Sequence, residues 1–194
     1  MNGDYIPDMI KSFKEAGISE PFAVDRKFYS EGSYPDAVIG VPLLRGDIPE
    51  FAKFQQSAFG DYSSRLENRG SGNGQLNLVG YSYGSEVAAT EAMMLTNSGN
   101  RVNNLVLIGS PISNNFLDSL KKNPLISNVI VVNLNQHGDP LYAGMPFSTL
   151  VQSVKTLGEQ QAKGTGHFYY APSGAQGDAR RRELARTLYD AGVK

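Results

Sequence analysis

Hydrophobic residues recur along this chain in two alternating rhythms. Residues 6–16 place apolar side chains at Ile6, Met9, Ile10, Phe13 and Ala16, a helical spacing that Gly17 stops. Helical patterns are also predicted over 48–67, 82–95, 114–121, 147–163 and 178–191. Between them lie short apolar runs at 22–25, 37–41, 76–79, 102–108 and 129–134 that read as strands, and 168–170 reads as a further short one. The runs at 102–108 and 128–132 are almost unbroken in Val, Ile and Leu, as in strands covered on both faces. Strands separated by helices predict an α/β fold with an open, mostly parallel sheet. Arg69-Gly70-Ser71-Gly72-Asn73-Gly74 is expected to be a loop within the domain. Residues 26–50, rich in Gly, Pro and Tyr, are expected to wrap a sheet edge or cover a pocket.

The stretch Gly80-Tyr81-Ser82-Tyr83-Gly84 falls where a strand hands over to a helix. Strand, G-x-S-x-G, helix is the order of a nucleophile elbow. Both glycines are expected to avoid collisions in so tight a turn. The serine is then pushed onto an exposed tip, with the N–H groups and dipole of the following helix aimed at the same place. The competing role for Ser82 is a helix N-cap.

Functional groups in such sheets sit beyond the C-terminal ends of the strands. Asp139 follows the run at 129–134, and His167 follows the helix at 147–163, giving the chain order Ser82, Asp139, His167. A serine hydroxyl needs a base, an imidazole can take and return the proton, and a carboxylate can hold that imidazole in one tautomer. His137 competes with His167 for the base and Asp118 is the reserve acid. Asp139 also suits an Asp-Pro turn.

With these residues the chain resembles the α/β-hydrolase superfamily, in particular a small lipase or esterase. The resemblance spans the chain from about Asn2 to the last helix. It implies Ser82 after the fifth strand of the family's sheet, Asp139 after the seventh and His167 after the eighth. It also implies an oxyanion hole from the N–H of Tyr83 and a second donor at Gly3 or Asp4. Only Met1 precedes Asn2, so the expected fold lacks the family's opening strands, as a fragment or a minimal version. In its abrupt start the chain is also similar to lipase-like domains of bacterial secreted effectors and toxins, which act on phospholipids.

Composition narrows the alternatives. The 194 residues suit one domain spanning 1–194. A net charge of −1 offers no broad basic field for nucleic acid. Arg180-Arg181-Arg182 and Arg186 are expected on the solvated face of the last helix. No cysteine and only two histidines leave no thiolate chemistry and argue against a zinc site, so no metal or cofactor is expected. No apolar run reaches the roughly 18 residues of a transmembrane helix. The N-terminus lacks a signal-peptide pattern, which suits a cytoplasmic chain or a delivered effector domain. Peripheral contact with a lipid surface and the oligomeric state stay open.

The expected activity is hydrolysis of carboxylic esters, lipid or phospholipid acyl esters foremost, through an acyl-enzyme. A thioesterase or acyltransferase would use the same three residues, and a non-catalytic hydrolase-like binding module is the reading of a different class. The expected substrate-binding residues are Tyr81, Leu141, Tyr142 and Phe168. They belong to a wider set around the site: Tyr83, Phe116, Met145, Phe147 and Tyr169. Such residues serve equally well as core beneath loops.

Overall fold

The computed structural model describes residues 5–23 and 74–194. The expected strand at 37–41, the helix at 48–67, Gly3, Asp4 and the loop as far as Asn73 lie outside the described residues. Strand β1 (Asn77–Tyr81) leads into helix α2 (Tyr83–Asn97), β2 (Val102–Ile108), α3 (Asn114–Lys122) and β3 (Ile126–Val132). Helix α1 (Ile6–Ala16) precedes them, and α4 (Phe147–Lys163) and α5 (Ala175–Asp190) follow.

The three strands are parallel in the order β1-β2-β3. Both crossovers step in the same direction, and right-handed crossovers then lay α2 and α3 on the same face. The side chains of β2 sort accordingly. Leu105 and Leu107 pack with Ala89, Ala92 and Leu95 of α2 and with Leu120 of α3. Val106 and Ile108 point the other way, against Met9 and Phe13 of α1 and Leu184 and Leu188 of α5. Burying each of the leucine, isoleucine and valine side chains among these contributes roughly 2 kcal/mol.

β2 is therefore covered on both faces, as its apolar run from Leu105 to Ile108 predicts. β3 is covered less fully: Ser127 and Asn128 are exposed, while Val129 and Val131 pack on one face and Ile130 and Val132 on the other, all four half-buried. Among the described residues it pairs only with β2.

Register is held at the opposite end of the sheet from the site. Asn77, Asn104 and Asn128 are paired across the three strands. Asn104 donates to the side-chain oxygen of Asn77 at 2.7 Å and accepts from Asn128 at 3.2 Å. Asn77 and Asn104 also donate to the carbonyls of Lys194 and Gly192, docking the residues after α5 onto the sheet.

Two expectations are corrected. Residues 21–23 carry no strand, so the run at 22–25 forms none where it is described, and Phe22 is exposed. The run at 168–170 is not a strand either, because a 3-10 turn at Gly166–Phe168 ends in it and a further turn takes up Tyr169 and Tyr170.

The solvated face expected of the last helix holds for Arg182 and Arg186 but not for Arg181, which is fully buried. Its guanidinium donates to the carbonyls of Tyr170 and Pro172 at 2.7 and 2.8 Å, to Asp178 at 2.5 Å and to Asp8 at 3.4 Å. A buried cation persists only with such partners. Here they hold the segment after His167 against α5 and α1.

Candidate active site

The site begins at the end of β1. Ser82 lies between β1 and α2 with φ 58° and ψ −130°, a conformation that non-glycine residues rarely adopt. Its N–H donates to the carbonyl of Ile108 on β2 at 2.8 Å. Its carbonyl accepts from the N–H of Ser85 at 2.9 Å and from the Ser85 hydroxyl. Gly80 makes this turn possible, since a Cβ there would lie 2.3 Å from the carbonyl oxygen of Gly84. Gly84 has no such constraint among the described residues: a Cβ there meets nothing within 4 Å. The expectation that both glycines avoid a collision therefore holds for one.

The Ser82 side chain does not cap α2. Its hydroxyl lies 2.6 Å from Nε2 of His167. On the far side of the ring, Nδ1 lies 2.9 Å from Oδ2 of Asp139. An ionised carboxylate can only accept, so Nδ1 carries the proton and Nε2 is left to accept from the serine. Asp139 and His167 are buried to 3% and 2% residual exposure, so neither is held by solvent. The second oxygen of Asp139 accepts from the N–H of Leu141 at 2.8 Å, and Asn135 donates to the Asp139 carbonyl at 2.9 Å.

The other candidates lie elsewhere. His137 stacks on Tyr169, with ring centroids 3.6 Å apart and planes 6° from parallel, and Arg180 covers the Tyr169 ring at 4.0 Å. Asp118 sits on α3, where Asn114 donates to it at 3.4 Å.

Several residues expected to line a substrate cleft do other work. The Leu141 side chain is buried, and its N–H serves Asp139. Tyr81 packs edge-on against Tyr5 and Tyr170, and its hydroxyl donates to the carbonyl of His167. Burial raises the Tyr81 phenol far above its ordinary pKa, so it stays a neutral donor. Phe116 and Met145 are buried. Tyr142 is half-buried, and so is Phe168, which stands edge-on to the His167 ring at 5.2 Å. Tyr83 and Phe147 are exposed. As the first residue of α2, Tyr83 has an N–H with no acceptor inside the helix.

Gly109 was not among the expected site residues. It follows β2 with φ 50°, and a Cβ there would lie 3.1 Å from Asp139 Oδ2 and 3.3 Å from the His167 ring. Its place directly after a buried strand is the signal that could have found it. Gly109→Ala is expected to displace the buried pair and lower kcat roughly 10- to 100-fold. The strain at positive φ costs about 1–2 kcal/mol of stability. Ester kinetics beside thermal denaturation check this. A kcat within twofold of the parent would mean that the pair tolerates the added carbon.

Residues 53–116 match a family model described as alpha/beta hydrolase. Over these residues the chain is similar to the alpha/beta-hydrolase superfamily. The match covers about a third of the chain, including β1, Ser82, α2 and β2 but neither Asp139 nor His167. The parallel strands flanked by helices accord with part of that fold. No curated protein and no solved structure matches the chain. Among the described residues no helix is long and apolar enough to cross a membrane, and no cluster of three or more His, Cys, Asp or Glu could hold a metal ion.

Proposed function

We propose that this chain cleaves carboxylic esters, with Ser82 as nucleophile, His167 as general base and acid, and Asp139 as the carboxylate that orients it. The observation that carries the reading is the unbroken hydrogen-bond chain Ser82–His167–Asp139, at 2.6 and 2.9 Å, on a strained strand-to-helix turn. Such strain gathers at functional sites. The same chain of contacts argues against a purely non-catalytic binding module, which has no need of it.

In this reading the Ser82 oxygen attacks the ester carbonyl carbon while its proton passes to Nε2 of His167. The imidazolium is stabilised by Asp139. The negative oxygen faces the N–H of Tyr83 and the positive end of α2. Collapse returns the proton to the departing alcohol and leaves an acyl-serine. A water activated by the same imidazole then releases the acid and restores the hydroxyl.

Lipid acyl esters are the favoured substrate class. Tyr83 beside the nucleophile and Phe147, Val151 and Val154 along α4 are all exposed, at 39%, 44%, 56% and 65%. The last three recur at helical spacing and form an apolar stripe suited to acyl chains or a lipid surface.

The test is labelling of the folded protein with a fluorophosphonate, run beside a panel of esters and thioesters of graded acyl length. The expected result is a single adduct at Ser82 and a kcat/KM that rises with acyl length. Absence of the adduct, while a control hydrolase reacts, would sink the reading. Faster turnover of thioesters, or acyl transfer exceeding hydrolysis, would move it to the thioesterase or acyltransferase class.

A further inference from the structure

The loop that carries Asp139 and the turn that carries His167 come from opposite ends of α4, and both meet a side chain of that helix. Gln160 donates from Nε2 to the carbonyl of Gly138 at 2.7 Å. Its Oε1 accepts from the backbone N–H of His167 at 2.8 Å. One amide thus bridges the residue before the acid to the base itself. The neighbouring backbone is shaped to admit it: Gly166 has φ 54°, and a Cβ there would lie 2.2 to 2.3 Å from the Gln160 amide atoms. The carbonyl of His167 is gripped as well, by the Tyr81 hydroxyl. The His167 peptide is therefore held by side chains at both its N–H and its C=O.

We propose that Gln160 is a positioning residue that sets the distance between the acid and base loops and so keeps the imidazole in reach of both Ser82 and Asp139. The inference rests on the serine-hydrolase reading for its kinetic consequence but not for its structural one. The role needs a donor and an acceptor on one planar group, which glutamine offers at any pH and glutamic acid of the same length only when protonated. Gln160→Glu keeps the shape and the acceptor but, when ionised, sets an oxygen against the Gly138 carbonyl. Gln160→Ala leaves both backbone groups without their partner.

Two measurements on the full chain test this. The first is steady-state kinetics on the best ester found in the panel. Both variants should lose roughly 10- to 100-fold in kcat, the usual cost of about 1 Å of misplacement, with KM within about twofold. The second is independent of turnover. The low-field proton resonance of the His167 Nδ1–H, bonded to Asp139 in the parent, should broaden or vanish in both variants. Thermal denaturation and circular dichroism confirm that the variants are folded. A role limited to stability would lower the melting temperature yet leave kcat and the Nδ1–H signal unchanged. That outcome in the folded variants overturns the proposal. If the parent itself is not labelled at Ser82, the functional reading fails, and the proton resonance still decides whether Gln160 holds the pair. Should Gln160→Ala fail to fold, Gln160→Glu carries both measurements.

Discussion

Ser82→Ala is expected to lower ester turnover on the order of 10⁶-fold and to abolish fluorophosphonate labelling, while the protein stays folded. The two halves of this expectation have separate physical origins. Turnover is lost because the covalent intermediate can no longer form. What remains is acceleration by the oxyanion donors and by binding, typically 10³- to 10⁴-fold over water. The fold is kept because the bonds that build the elbow are made by the backbone. Ser82 gives its N–H to Ile108 and accepts from Ser85 at its carbonyl, and alanine retains both. Alanine also retains the Cβ, so the strain at φ 58° is unchanged and stability should move by no more than about 0.5 kcal/mol. Ser82→Gly separates the two effects. It should be equally inactive but more stable, by roughly 1 kcal/mol or more, because glycine tolerates that φ. Activity and denaturation measured on the three proteins test this together. If Ser82→Ala keeps more than a tenth of the parent turnover, the nucleophile lies elsewhere. If Ser82→Gly gains no stability, the turn stores no strain.

The sequence made some of this site legible and concealed the rest, for reasons that differ by residue. The helices at Ile6–Ala16 and Phe147–Lys163 could be read to the residue, because their apolar spacing is strong and Gly17 and Gly164 end them in left-handed turns. The elbow was legible because its constraint is local: a Cβ at position 80 would collide with residues four and five positions away. Asp139 and His167 could be placed by chain order. Gln160 and Arg181 could not, and Gly109 was marked only by its place directly after a buried strand. Each acts on partners that only the fold brings near, and each resembles a common surface or turn residue in sequence. The exposed outer face of α4 hides the one position that reaches inward at its end. Tyr81 was misread for a related reason. An aromatic beside the nucleophile suits a cleft wall, but alternation along β1 turns it towards α1 and α5. The run at 168–170 has strand-like composition, yet the left-handed backbone at Gly164 and Gly166 and the bond from Gln160 bend it into a turn.

Asp139→Asn is expected to lower kcat about 10⁴-fold with little change in KM. The size of the effect follows from how both carboxylate oxygens are used. Oδ1 accepts from the Leu141 N–H at 2.8 Å and Oδ2 accepts from His167 Nδ1 at 2.9 Å, in a site from which water is excluded. An asparagine has one acceptor for these two donors. If its NH₂ faced Leu141, two donors would be opposed in a buried site, at a cost of about 1–3 kcal/mol. The amide is therefore expected to keep its oxygen on Leu141 and turn its NH₂ towards the imidazole. Nδ1 must then accept, the ring proton moves to Nε2, and Nε2 can no longer take the proton of Ser82. The variant would be folded and complete, with its histidine in the wrong tautomer. Two readouts distinguish this from simple damage. Nitrogen chemical shifts of His167 should show the proton transferred from Nδ1 to Nε2, and fluorophosphonate labelling of Ser82 should slow in parallel with kcat. A variant that keeps the parent tautomer and the parent labelling rate would remove Asp139 from its proposed role and return the question to Asp118.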